Sequence, residues 1–351
     1  MLGFTVRRIV PPASTLLVLM VLVALAWAGC TPPPPAPTLQ ALVDSVSQTE
    51  YQRYQLALEN MGLGLYGGAD YDMGHRNRDA WEGLGSPGNQ EARLYIQDAF
   101  SAMGLEVSVQ GPHLNVVGEL IGATTPDRIY IIGGHYDHLE GDRPGGDDNA
   151  SGTAGVLEAA RILSRYHFDS TIRFIGFNAE EDGLLGSKDY VDNHVIPAGE
   201  NIMGMINLDM ILRPGSDVEP GSVIDVEVEA KYDHPPSVAW GRLFQQAVAD
   251  YVPSLVVNDT IIDTESSSDN DPFRDAGFPA ILVIENSLPD FWDANSYYHG
   301  FEDASDRLAN DLSSPSGVTY DFGFATEVVR ATVGLMAQEA VLLPERGRRS
   351  F

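Results

Sequence analysis

"GGHYDHLEGDRPGGDDNASG", residues Gly133 to Gly152, gathers two histidines and five acidic side chains among six glycines. So many potential metal ligands on freely bending backbone make either a solvated acidic loop or half of a metal site. If half of a site, the other ligands must follow further along the chain. Apolar runs of strand length surround the stretch: "LEVSVQ", "LNVVGEL", "RIYIIGG", "TIRFIGF", "GMINLDMI" and "AILVIEN". Helix-like segments separate several of them, notably "SGTAGVLEAARILSRY" and "VAWGRLFQQAVADYV". Strands that alternate with helices and are apolar on both faces predict an α/β fold with a mostly parallel central sheet flanked by helices. Upstream, residues 39 to 61 read as helix, and "GSPGNQEARLYIQDAFSAMGLEV" as another, opened by Ser86-Pro87 and closed by Gly104.

Open α/β sheets build their sites beyond the carboxyl ends of the strands. Here "RIYIIGG" leads into His135-Tyr136-Asp137 and "TIRFIGF" into Asn178-Ala179-Glu180-Glu181. "GMINL" leads into Asp209, and "AILVI" into Glu285-Asn286. A lone His-x-Asp is most often incidental, and a Glu-Glu pair is usually a solvated turn. Acids or a histidine at four exits of one sheet point instead to a single centre.

These pieces together resemble the zinc aminopeptidases of the M28 type. The matching stretches are "GGHYDH", "PGGDDNASGTAG", "NAEEDGLLGS", "INLDM", "SDNDPFRDAGFPAI" and "YYHGFEDASDRL", spread in order over residues 133 to 308. The resemblance implies a three-layer, phosphorylase/hydrolase-like fold. It also implies two zinc ions (Co²⁺ or Mn²⁺ being alternatives of similar chemistry) bridged by Asp148. His135 and Asp209 would complete one ion's protein ligands, and Glu181 and His299 the other's. Imidazoles and carboxylates without thiolate suit such ions, and two ions about 3.5–4 Å apart need a shared anion between them. Asp137 would accept the second N–H of His135 and fix its tautomer. Glu180 would be the general base and Tyr298 a donor to the oxyanion. Asp142 and Asp147 read as solvated neighbours, and His113, His138 and His234 as surface or hydrogen-bonded structural histidines. Asn270 stands where the family commonly has histidine, which leaves the contacts of Asp269 open. The long connection "RPGSDVEPGSVIDVEVEAKYDHPP" after Asp209 has the length of a flap. Asn149-Ala150-Ser151 matches a glycosylation sequon, discounted beside a bridging ligand.

The activity so implied is removal of N-terminal residues from peptides with a free N-terminus. Phe291, Trp292, Tyr297 and Tyr298, just before His299, would offer aromatic walls to an apolar side chain. Three rivals stand beside it. A glutaminyl-cyclase-like transferase has a closely similar fold and one zinc, but typically lacks the pairing seen at Asp148-Asn149. The two-zinc carboxypeptidase and deacylase group approaches its bridging Asp through glycine-arginine-glycine, absent here. A non-catalytic lipid-anchored binding protein would have no need of Glu180 and all five ligands.

The chain of 351 residues, 44% of them apolar, can bury a large core. Ser14 to Ala28, "STLLVLMVLVALAWA", follows Arg7 and Arg8 and is too short for the ~20 residues that span a bilayer. It ends at "WAGC", where Cys30 is the sole cysteine, and the proline-rich "TPPPPAPT" comes next. This resembles a lipoprotein signal of a bacterium, with residues 1–29 removed, 30–38 a stiff spacer and 39–345 one catalytic domain. Without residues 1–29 the chain carries 19 basic against 50 acidic residues, a balance that argues against nucleic acid as a partner. The expected location is the cell envelope, periplasm or outer membrane, with the lipid on Cys30 as the sole membrane attachment. Cys30→Ser should move the protein from the membrane fraction to the soluble one, as fractionation and immunoblotting would read; an unchanged distribution would leave only a plain cleaved signal.

Overall fold

A computed structural model describes residues 37–62, 87–139, 144–214, 223–227, 234–257, 267–285, 298–299, 303 and 320–344. These all fall within one compact unit, Pro37–Glu345. Strands β1 (Glu106–Gln110), β2 (Asn115–Leu120), β3 (Thr125–His135), β4 (Ser170–Phe177), β5 (Asn201–Leu208), β6 (Val223–Glu227), β7 (Val256–Val257) and β8 (Ala280–Glu285) form one sheet in the order β1-β2-β4-β3-β5-β8-β6-β7. The central four, β4-β3-β5-β8, are parallel. Antiparallel pairing appears towards the edges, where β2 meets β1 and β4, and β6 meets β8.

Alternation along the central strands explains the layers. Tyr130 and Ile132 of β3 face one apolar cluster, while Ile129 and Ile131 face another. The first is closed by α4 (Ala150–Leu163), α6 (Pro235–Tyr251) and α8 (Phe322–Glu339). The second lies under α5 (Leu185–Tyr190), which continues through a π turn at Val191–Val195, and under α7 (Asp271–Asp275). Burial on both faces is why these strands read as unbroken apolar runs in the sequence.

Three departures from the sequence reading have visible causes. The helix expected over residues 39 to 61 is two, α1 (Leu39–Asp44) and α2 (Gln48–Gly62). The break lets Ser47 N donate to Glu158 Oε1 of α4 at 2.7 Å, a buried carboxylate also held by Arg161. The long connection after Asp209 supplies β6, in register with β8 from Ile224↔Glu285 to Glu227↔Leu282. Helix α8, not anticipated, starts where Asp321 accepts hydrogen bonds from Gly323 N and Phe324 N at 2.7 and 3.2 Å. Helix α3 (Pro87–Ala102) falls where expected and is followed by Gly104 at φ +80°.

Two glycines let α4 approach the sheet. A Cβ on Gly134 would lie 2.9 Å from Leu208 O, and one on Gly152 would overlap that same carbonyl. Neither contact is with a flexible side chain, so Gly152→Ala should lower stability by about 1–3 kcal/mol in denaturant unfolding. An unchanged midpoint would show that α4 does not need this close approach.

Candidate metal centre

Parallel strands β3, β4, β5 and β8 bring their carboxyl ends to one edge of the sheet. β3 ends on His135, β4 runs out into Glu180 and Glu181, β5 into Asp209, and β8 ends on Glu285. Asp148 sits in the turn before α4. His135 Nε2 lies 3.3 Å from Asp148 Oδ1, 3.4 Å from Asp209 Oδ1 and 3.9 Å from Glu180 Oε2. His299 Nε2 lies 3.2 Å from Asp148 Oδ2 and 3.6 Å from Glu181 Oε2. The structure thus brings all five expected ligands together, with one oxygen of Asp148 turned to each imidazole. Grouped by ligand-atom spacing, His135, Glu180 and Asp209 form one set and Asp148, Glu181 and His299 another.

The donors fit metal ions in both geometry and charge. A tetrahedral zinc with bonds of about 2.0–2.1 Å keeps neighbouring ligand atoms about 3.3 Å apart. The spacings around Asp148 match that value. Asp209 Oδ1 is buried and accepts no hydrogen bond among the described residues, facing His135 Nε2 instead. Burial pushes Glu180 and Glu181 well above the ordinary carboxylate range, with neighbouring acids adding to it and His135 opposing. Burial works against the Asp148 anion too, yet hydrogen bonds from His135 and His299 hold its carboxyl below that range. Close by, burial raises Asp269 to about 7, Asp147 to about 6 and Asp303 to about 8. Carboxylates crowded out of water in this way call for cations.

Backbone and side-chain contacts fix the donors in place. Asp137 stands beside His135 as expected, but the nearer partner of His135 Nδ1 is the Asp137 carbonyl at 3.2 Å, with the carboxylate at 3.5 Å. The carboxylate instead accepts the amides of Glu180 and Glu181, both at 3.3 Å. Asn149 joins the exit of β5 to the start of α4, donating to Leu208 O and accepting from Gly152 N and Met210 N. Its burial is what the discounted sequon requires. Ser268, which sequence reasoning passed over within "SDND", donates to Asp209 Oδ2 at 2.6 Å and accepts from Asn207 Nδ2 at 2.7 Å. Asn270 bonds its neighbour Asp271 at 3.0 Å. Non-glycine residues at positive φ cluster here: Ala179 beside Glu180, Met210 beside Asp209, and His299 itself. Such backbone costs on the order of 1–3 kcal/mol per residue and persists only where surrounding contacts impose it.

Asp147 corrects the sequence reading. It is fully buried rather than solvated, because Leu212 N donates to its Oδ1 at 3.0 Å and its own N–H donates to Asp303 Oδ1. Asp142 lies outside the described residues, as do Phe291, Trp292 and Tyr297. Tyr298 stacks on His299 with ring centroids 3.7 Å apart and packs against Met210, Leu282 and Ile284. Burial, then the charges of Asp148 and Glu181, push its hydroxyl far up, so it stays protonated and able to donate. His138 and His234 have structural partners, at Leu139 O and Ser237 Oγ. The His113 carbonyl accepts from Asn178 Nδ2.

The sequence profile of peptidase family M28 matches residues 115–316. A probable zinc metalloprotease of Pyrenophora teres f. teres is 31% identical over 199 residues, 51% of this chain and 40% of that protein. Aminopeptidase YwaD of Bacillus subtilis is 32% identical over 192 residues, 55% and 39% of the two chains. The chain therefore spans about two fifths of the length of these curated relatives. Among solved structures, LapA aminopeptidase of Legionella pneumophila superposes with a TM-score of 0.64 at 19% identity, covering 86% of this chain and 74% of its own. Glutaminyl cyclase of Porphyromonas gingivalis does so at 0.63 and 17%, covering 84% and 99%. Both likenesses are of fold. Because the Asp137 carboxylate holds the amides of Glu180 and Glu181 beside the candidate ligand His135, Asp137→Asn should weaken zinc binding by about 10–100-fold in chelator competition; unchanged affinity would reduce Asp137 to a bystander.

Proposed function

The chain belongs to peptidase family M28, and on that premise we propose that it is a two-zinc aminopeptidase releasing residues from the free N-termini of peptides. The Asp148 carboxylate supports this most directly. Its two oxygens lie 3.3 and 3.2 Å from two different imidazoles, spacings suited to an anion shared by two ions. His135, Asp148 and Asp209 would hold one zinc, and Asp148, Glu181 and His299 the other. Bound zinc supplies Lewis acidity, polarising the scissile carbonyl and lowering the pKa of water.

The remaining steps belong to side chains. Glu180, whose affinity for a proton is raised by burial, takes the proton of the attacking water and passes it to the leaving amine. Tyr298, kept protonated among acids, donates to the oxygen that gains charge. The negative field of Asp148, Glu180 and Asp209 holds the substrate's α-ammonium. A cyclase of this fold would need one zinc and no shared anion. The catalytic domain in this proposal covers residues 39–345 and is exported, held at the cell envelope by a lipid on Cys30. Cys30 lies outside the described residues, among which no helix is long and apolar enough to cross a membrane.

A panel of free and N-acetylated aminoacyl anilides, with and without added zinc, tests the assignment. Free substrates should be cleaved and acetylated ones should not, with chelation abolishing the activity. Glu180→Gln should keep its zinc while kcat falls at least ~10²-fold, whereas Glu181→Gln should lose zinc. Equal loss of metal from both variants, or equal rates on free and acetylated substrates, would contradict the proposal.

A further inference from the structure

The turn that carries Asp148 runs into α4 from outside the helix, so its buried amides need acceptors that the helix does not supply. One residue, 155 positions away, takes up three of them. Gly146 N donates to Asp303 O at 2.9 Å, Asp147 N to Asp303 Oδ1 at 2.7 Å, and Asp148 N to Asp303 Oδ2 at 3.1 Å. Tyr320 Oη donates to the same Oδ1 at 2.5 Å. Asp303 is 3% exposed. Both carboxylate oxygens are therefore fixed on consecutive backbone amides, with a phenol donating to one of them as well.

The contact closes a ring. Asp321, next to Tyr320, donates its N–H to Leu212 O at 2.7 Å, and Leu212 N donates to Asp147 Oδ1 at 3.0 Å. Leu212 lies three residues beyond Asp209, and Asp303 four beyond His299. Segments bearing three of the proposed ligands are thus joined through two buried carboxylates, Asp303 and Asp147. Asp137 holds Glu180 and Glu181 by the same device, one oxygen to each amide.

We infer that Asp303 is the positioning residue of the bridging ligand: its carboxylate, braced by Tyr320, fixes the Asp147–Asp148 backbone so that Asp148 presents one oxygen to each metal, an inference that rests on the two-zinc reading above. A carboxylate suits the task because both of its oxygens accept. An asparagine of the same shape turns one acceptor into a donor that faces an N–H.

Zinc affinity of the full-length chain, read by chelator competition, tests this without reference to activity. Asp303→Asn should bind zinc about 10–100-fold more weakly. Tyr320→Phe, which removes one donor and keeps the ring, should show a smaller loss, and it carries the test if Asp303→Asn does not fold. Arg173→Met serves as the control. It breaks the ion pairs that Arg173, midway along β4 and away from the strand exits, makes with Glu119 of β2 and Glu200 before β5. It should lower the melting temperature of the zinc-free protein yet leave zinc affinity within twofold. Wild-type affinity in the Asp303 and Tyr320 variants, or losses no larger than those of Arg173→Met at equal destabilisation, would overturn the inference while leaving two-zinc binding by the wild type intact. Wild-type protein that takes up no zinc would overturn the two-zinc reading, and this inference with it.

Discussion

Carboxylates gathered at the end of a parallel sheet repel one another, and their mutual repulsion is the constraint around which this site is built. Asp137, Asp148, Glu180, Glu181, Asp209 and Asp269 press towards two imidazoles, His135 and His299. In water such charges would be screened. Here burial weakens the screening and pushes several of them towards the protonated form. Two divalent cations would reverse that cost and turn the repulsion into coordination.

The rest of the fold keeps those groups from moving apart. Four parallel strands deliver them to one edge, and glycines at 134 and 152 bring α4 against β5 so that Asp148 reaches the same place. Backbone amides are then held in pairs, by Asp137 at Glu180–Glu181 and by Asp303 at Asp147–Asp148. Ser268 does the equivalent for the Asp209 side chain. Left-handed backbone at Ala179, Met210 and His299 shows how tightly the surroundings dictate conformation at these positions.

Much of this was legible in the sequence because strands buried on both faces write themselves as apolar runs. Their exits could be read without knowing strand order, and the five convergent candidate ligands stood at exits or in quoted motifs. What stayed hidden depends on partners distant in the chain. Asp147 and Asp148 are neighbours of one type, yet burial of the first follows from Leu212 and from Asp303, 156 residues away. Asp303 itself sat unassigned inside "YYHGFEDASDRL" for the same reason. β6, "VIDVE", is short and carries two acids, so it read as connection until β8 provided its partner. The division of the first helix answers to Glu158 on α4, a partner distant in the chain, together with a local cap in which Ser47 Oγ accepts from Glu50 N at 3.3 Å.

Whether one carboxylate is shared by two ions is the point on which the chemistry turns. Anomalous diffraction at the zinc edge, from crystals grown with zinc, tests it most directly. Two peaks about 3.5–4 Å apart, with Asp148 between them, are the predicted result. A single peak in fully loaded crystals, or two peaks with Asp148 bound to only one, would contradict it.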